Sequence, residues 1–227
     1  MMCLMQAGTL QFVSIAALGV LGAASVLAQD PRIPIENESV RVLKVLEEPR
    51  HKTKLHEHKL NRVMIYLDAG KQTIDYEGGK KTVLNFNAGQ VLWSPLAGMH
   101  IAEVVSDSNV GIVEVELKKP APSTKPGMSK LDPLKVDPKH YKVEIDNDQV
   151  RVVRVKIGPH ESTPVHEHTM NRVVTYITDQ DFKITSSDGK VTNTQHKAGE
   201  VSWGTPGTHK EENLSDKSVE IIMVDLK

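Results

Sequence analysis

The chain carries one long sequence twice. His56-Glu57-His58-Lys59-Leu60-Asn61-Arg62-Val63-Met64-Ile65-Tyr66 recurs as His166-Glu167-His168-Thr169-Met170-Asn171-Arg172-Val173-Val174-Thr175-Tyr176, an offset of 110. Ala88-Gly89-Gln90-Val91-Leu92-Trp93 recurs as Ala198-Gly199-Glu200-Val201-Ser202-Trp203 at the same offset. Gly98-Met99-His100 recurs as Gly207-Thr208-His209 at 109, and Val40-Arg41-Val42 matches Val150-Arg151-Val152. Two large copies mean a duplicated domain, because a solenoid stacks several short units. One copy covers 31–118 and the other 139–227. Between them, residues 119–138 are rich in proline and lack periodicity, as an inter-domain linker or a wrapping arm does.

Each copy reads as β structure. Val113-Glu-Val115-Glu-Leu117 alternates apolar and charged residues, the pattern of a half-buried strand. Val150-Arg-Val152 and Val153-Arg-Val155-Lys-Ile157 alternate too, with a break of phase between them. Turn signals at Gly78-Gly79, Ala88-Gly89, Ser187-Asp188-Gly189 and Ala198-Gly199 come at short intervals, and no stretch after the first thirty residues keeps a helical period over three turns. Many short strands with regular turns predict an all-β sandwich or barrel.

The first 29 residues carry no charged side chain, and Thr9 to Ala28 is apolar and small. Val26-Leu27-Ala28 places small residues at −3 and −1 of a cut after Ala28, so 1–28 is expected to be a secretory signal peptide. A retained anchor is the alternative, since the run approaches spanning length. Cleavage implies a periplasmic or secreted protein without a membrane segment. It also removes Cys3, the single cysteine, and with it thiol catalysis and disulfides. The 28 Lys+Arg against 29 Asp+Glu give no electrostatic reason to expect nucleic acid as a partner. Sheet-faced barrels are compatible with homo-oligomers.

Ten histidines are the unusual entry in the composition, and six of them fall at repeat positions. On a strand, residues two apart share a face, so His56 and His58 project together, as do His166 and His168. His100 and His209 follow after Pro/Gly turns. Two ligands on one strand and a third from a returning strand suit a facial metal site with open coordination positions. The competing reading is a hydrogen-bonded structural role. Neighbouring positions have diverged between the copies (Lys59 to Thr169, Ile101 to Lys210, Phe86 to His196), whereas these histidines have not.

The run from Gly158 through His166-Glu-His168 to Arg172, followed by Gly199, Pro206-Gly207, His209 and Asn213, resembles the two motifs of the cupin family. The first copy matches more loosely, with Val104 near the place of Asn213. The resemblance covers nearly all of the chain after the first thirty residues. It implies a bicupin, two tandem antiparallel β-barrels of jelly-roll type. It also implies that His56, His58, His100, His166, His168 and His209 hold a divalent metal (Fe, Mn, Ni, Cu or Zn). Where the family usually has a ligating glutamate, this chain has Arg62 and Arg172. A guanidinium cannot ligate a cation. Each arginine is expected either to pair with a carboxylate such as Glu57 or Glu167, or to receive an anionic substrate, Arg172 being the candidate contact. Glu103 and Glu212, three residues after the third histidines, are expected on the opposite, outer face. His51 and His160 are expected near the barrel mouths. Trp93, Trp203, Tyr66 and Tyr176 are expected to pack the barrels.

Three functions fit these residues. The chain is a metal-dependent enzyme, a small-molecule dioxygenase or a relative using three-His sites; or it is a non-catalytic bicupin that binds metal or a small ligand; or its metal sites are relics. No acid–base pair beyond the histidines stands out, and the second copy, with the fuller motif, is the favoured site.

Overall fold

The computed structural model describes residues 31–122 and 127–227, so the expected signal peptide lies outside the described residues. The first copy forms nine strands: β1 Arg32–Glu36, β2 Val40–Glu47, β3 His56–His58, β4 Arg62–Tyr66, β5 Gly70–Tyr76, β6 Lys81–Phe86, β7 Val91–Ser94, β8 Ala97–Val104 and β9 Val110–Leu117. A short helix, α1 Pro133–Val136, follows. The second copy forms β10 Tyr141–Asp146, β11 Val150–Ile157, β12 His166–His168, β13 Arg172–Tyr176, β14 Gln180–Ser186, β15 Val191–His196, β16 Val201–Gly204, β17 Gly207–Asn213 and β18 Val219–Leu226.

Each copy builds two antiparallel sheets, in orders that match position for position. The larger sheets run β1-β2-β9-β4-β7 and β10-β11-β18-β13-β16; the smaller run β3-β8-β5-β6 and β12-β17-β14-β15. The non-sequential neighbours are the crossings of a jelly roll.

The apolar core explains how the copies sit together. Val40, Val42, Val63, Ile65, Val113 and Val115 of the first copy share one buried cluster with Val150, Val152, Val173, Ile222 and Val224 of the second. The two larger sheets therefore pack on each other, and the main hydrophobic layer lies between the barrels. Gly89 and Gly199 mark the symmetry of this contact. A Cβ on Gly89 would meet Arg154 and Ile177, and one on Gly199 would meet the equivalent Leu67 and Lys44, all in the opposite barrel. Their φ angles of +76° and +78° also favour glycine. The duplicated domains thus associate through like surfaces, as subunits of a two-fold dimer do.

This arrangement corrects the expectation for β9. All eight of its residues are buried. Val113, Val115 and Leu117 face the other barrel, while Glu114 and Glu116 face the interior of their own. A period of two says that two faces differ, but not which one is wet. The break of phase in β11 has the same cause. Its pairing with β18 is continuous from Val150 to Ile157. Val150 and Val152 enter the layer between the barrels, while Val153, Val155 and Ile157 enter the barrel core with Tyr141 and Phe182. The apolar residues change faces while the register with β18 stays unbroken; the irregularity opposite Val152 and Val153 lies in β10, between Val143 and Ile145.

The segment before β10 packs on the second barrel. Asp132 caps α1 by accepting from Leu134 N at 3.0 Å. The same carboxylate meets Arg151 at 2.8 Å, and Arg151 meets Asp225 on its other side. His140 is also built into the structure, between Asp137 at 2.7 Å and Glu161 at 2.9 Å.

Candidate metal centres

The short strands β3 and β12 place the histidine pairs, and the returning strands place the third ring directly opposite. His56 is the cross-strand partner of His100, and His166 that of His209. In the first barrel the ring centroids of His56–His58, His56–His100 and His58–His100 are 4.9, 4.5 and 5.3 Å apart. In the second barrel the corresponding separations are 4.9, 4.6 and 5.2 Å. In each triad the three ligand nitrogens lie within 4.8 Å of one another.

Hydrogen bonds set the tautomers. His56 Nδ1 lies 2.8 Å from the Lys54 carbonyl, His100 Nδ1 2.9 Å from that of Gly98, and His166 Nδ1 3.0 Å from that of Pro164. A carbonyl only accepts, so each Nδ1 carries the proton and each Nε2 offers its lone pair. His56 Nε2 and His58 Nε2 are 3.1 Å apart. Two nitrogens about 2.1 Å from one ion, at angles between octahedral and tetrahedral, stand about 3.0–3.4 Å apart. The donor set therefore fits a divalent transition metal. Burial pushes the pKa values of His100, His166 and His168 down, toward the neutral, ligating form. A carboxylate stands behind one ring of each triad. Glu116 Oε1 is 4.0 Å from His58 Nδ1. By register Asp225 takes the same place in the second barrel, where it and His168 Nδ1 each keep a buried atom without a hydrogen bond. Such carboxylates orient metal-binding imidazoles.

Beyond the histidines, the two sites differ. In the second barrel Glu211 is two residues past His209 and so shares its face; its Oε1 is 3.4 Å from His209 Nε2. Tyr141 donates to Glu211 Oε2 at 3.3 Å and lies 3.2 Å from His166 Nε2. Burial pushes the Tyr141 hydroxyl well up, which keeps it a donor. Burial also pushes the Glu211 carboxyl up, but the surrounding His209, His166 and Arg172 side chains outweigh it, so Glu211 stays below its ordinary value. The first barrel has Ala102 and Pro31 at these places.

Glu211 and Tyr141 form a hydrogen-bonded pair beside the triad that sequence reading did not find. The signal for Glu211 was the same-face rule already used for the histidines. The expected outer glutamates do face outward: Glu103 pairs with Lys52 and Glu212 with Lys183. His160 bonds Asp216 on the surface and His51 is exposed, so neither belongs to a site. Asn213 is fully buried and donates to three carbonyls, those of Ile157, Gly158 and Lys217, which gives it a structural role.

The arginines part company as well. Arg62 donates to Glu114 at 2.9 Å and to Ser94 Oγ at 3.2 Å. Its carboxylate partner is thus Glu114 and not Glu57, which pairs with Lys59. Arg172 donates from Nη1 to the Thr205 carbonyl at 2.9 Å, while its buried Nε has no partner. Glu167 is taken by Ser129. Trp93 and Trp203 pack against the inter-barrel core and also wall the cavities. Those cavities measure about 290 Å³ in the first barrel and about 420 Å³ in the second.

Among solved structures, the chain is similar to oxalate decarboxylase from Bacillus subtilis (TM-score 0.57, 15% identity, covering 83% of this chain and 69% of that one). It is also similar to a cupin 2 conserved barrel domain protein from Leptotrichia buccalis (TM-score 0.53, 14% identity, covering 87% and 88%). The fold is a bicupin. No family model matches the sequence, and no curated protein matches it. At these identities the bicupin likeness carries the architecture and leaves the chemistry to the residues of the site.

Proposed function

We propose that this bicupin is a metal-dependent small-molecule enzyme of dioxygenase type, working in the second barrel. His166, His168 and His209 would hold a divalent transition metal. When bound, the metal would supply Lewis acidity and open positions where a small substrate and oxygen or water meet. The observation that carries the reading is Glu211 with Tyr141 beside the triad, in the larger cavity. The carboxylate accepts a proton from substrate, and Tyr141 holds that carboxylate in place by its hydrogen bond. Gly204, Thr205 and Pro206 shape the rim.

The first barrel supports a second reading for itself. It has an equivalent triad, but Ala102 and Pro31 replace the acid–base pair, which suits a metal site that binds without turnover. Export and cleavage after Ala28 belong to the same proposal, and the intact mass of the exported protein tests them.

The test of function is oxygen uptake by the metal-loaded chain over a panel of enol, thiol and hydroxy-acid substrates. His166→Ala and Glu211→Gln are expected to abolish uptake, while His56→Ala retains it. Turnover that survives His166→Ala but not His56→Ala would assign the chemistry to the wrong barrel. Ligand-dependent stabilisation without turnover of any substrate would favour the binding protein.

A further inference from the structure

The second cavity contains a buried cation whose partners have been removed. In the first barrel Arg62 has two, Glu114 and Ser94. The strand registers identify their counterparts. Arg62 stands opposite Ser94 and Arg172 opposite Gly204; Met64 stands opposite Glu114 and Val174 opposite Met223. Both groups that engage the guanidinium in one barrel are therefore absent from the other. Arg172 is only 9% exposed, lines the cavity, and makes no ion pair among the described residues. The nearby carboxylates make no ion pair with it: Asp225 turns Oδ2 to Arg151, and Glu211 accepts from Tyr141 beside His209. Gly204 lets the side chain lie flat against the backbone, since a Cβ there would come within 2.8–3.0 Å of Arg172 Cγ, Nε and Cζ.

A buried charge without a direct ion pair is costly, and an arriving anion relieves that cost. We propose that Arg172 is the anchor for an anionic substrate, a small carboxylate whose other end reaches the His166–His168–His209 site, and that Glu114 closes the equivalent position in the first barrel. A guanidinium presents a planar fork of donors that matches a carboxylate. The polar lining agrees: Ser202 and Thr194 stand where the first barrel has Leu92 and Leu84. This inference rests on the second cavity being the working site.

The test uses the full metal-loaded chain and titrates formate, oxalate and malonate, with malonamide as the uncharged control, by calorimetry. One carboxylate per chain is expected to bind, and malonamide is not. Arg172→Gln is expected to weaken binding at least about tenfold. Met223→Glu, which installs the carboxylate of the first barrel, is expected to do the same with the cationic residue still present. The double variant Ser94→Gly/Glu114→Met is expected to raise the stoichiometry from one to two. Metal content is measured for every variant. Lost metal would report failure of the site itself, whereas full metal with lost carboxylate binding supports the anchor. Three results overturn the proposal: equal binding of malonamide, unchanged affinity in a folded and metalled Arg172→Gln or Met223→Glu protein, or no saturable binding of any of these carboxylates up to about 10 mM, where a millimolar Kd would show.

Discussion

Glu114→Met is the substitution whose consequence the structure defines most closely. It replaces a glutamate of the first barrel with the residue found at the matching place in the second. The Glu114 and Arg62 side chains are 11% and 9% exposed and meet at 2.9 Å. Removing one partner of a buried pair costs about 3–5 kcal/mol, because the other charge stays buried. Two features lower that figure. Ser94 remains as an acceptor for Arg62. The Glu47 carboxyl, raised by burial and by the charge of Glu114, is relieved when that charge goes. The expected net loss is about 2–3 kcal/mol. For a chain of this size that lowers Tm by roughly 4–12 °C. Urea and thermal unfolding of the metal-free protein measure it. Arg62→Met/Glu114→Met is expected to recover most of the loss, since an apolar pair of similar volume replaces a buried ion pair at little cost. A loss below about 1 kcal/mol for Glu114→Met would refute the view that Arg62 depends on this carboxylate.

Three further outcomes follow from the same structure. Ile65→Ala deletes a fully buried side chain in the layer between the barrels and should cost about 2–5 kcal/mol, in one transition shared by both halves; two separate transitions by calorimetry would contradict a common core. Glu161, bonded by Lys139 and His140, has its pKa held down to about 2. A depressed carboxyl contributes stability above its ordinary value of 4.5, lost as pH falls through that value toward 2, so Glu161→Gln should flatten the acid limb of a stability–pH curve over that window. Asn213→Ala removes a fully buried amide that donates to the Ile157, Gly158 and Lys217 carbonyls and should cost about 1–3 kcal/mol in chemical denaturation, since Gly158 and Lys217 keep second donors in Glu161 N and Ser215 Oγ; a loss under about 0.5 kcal/mol would show that the β17–β18 turn does not need it.

Much of the architecture was legible because duplication writes it twice. The offset between His56 and His166 announced two copies, and the HxH spacing announced two imidazoles on one face. What stayed hidden has physical reasons. Alternation in β9 marked two unlike faces, and the larger apolar demand came from the neighbouring barrel, so Glu114 and Glu116 turned inward instead of toward water. Matching residues between the copies drew attention away from Glu211 and Tyr141, whose counterparts Ala102 and Pro31 do not match. The fates of Arg62 and Arg172 depended on Ser94, Gly204, Glu114 and Met223, far away in sequence and adjacent only across paired strands. His140 gave no pattern, because its burial comes from Asp137 and Glu161 in the segment that folds onto the second barrel.

The most direct test of the account is the metal stoichiometry of the full chain, by elemental analysis of the wild type and of His56→Ala, His166→Ala and the double variant. Two triads of equivalent geometry predict two divalent transition-metal ions per chain, one in each single variant and none in the double. A wild-type protein without stoichiometric metal, or a double variant that keeps it, would contradict the assignment of the histidines as ligands.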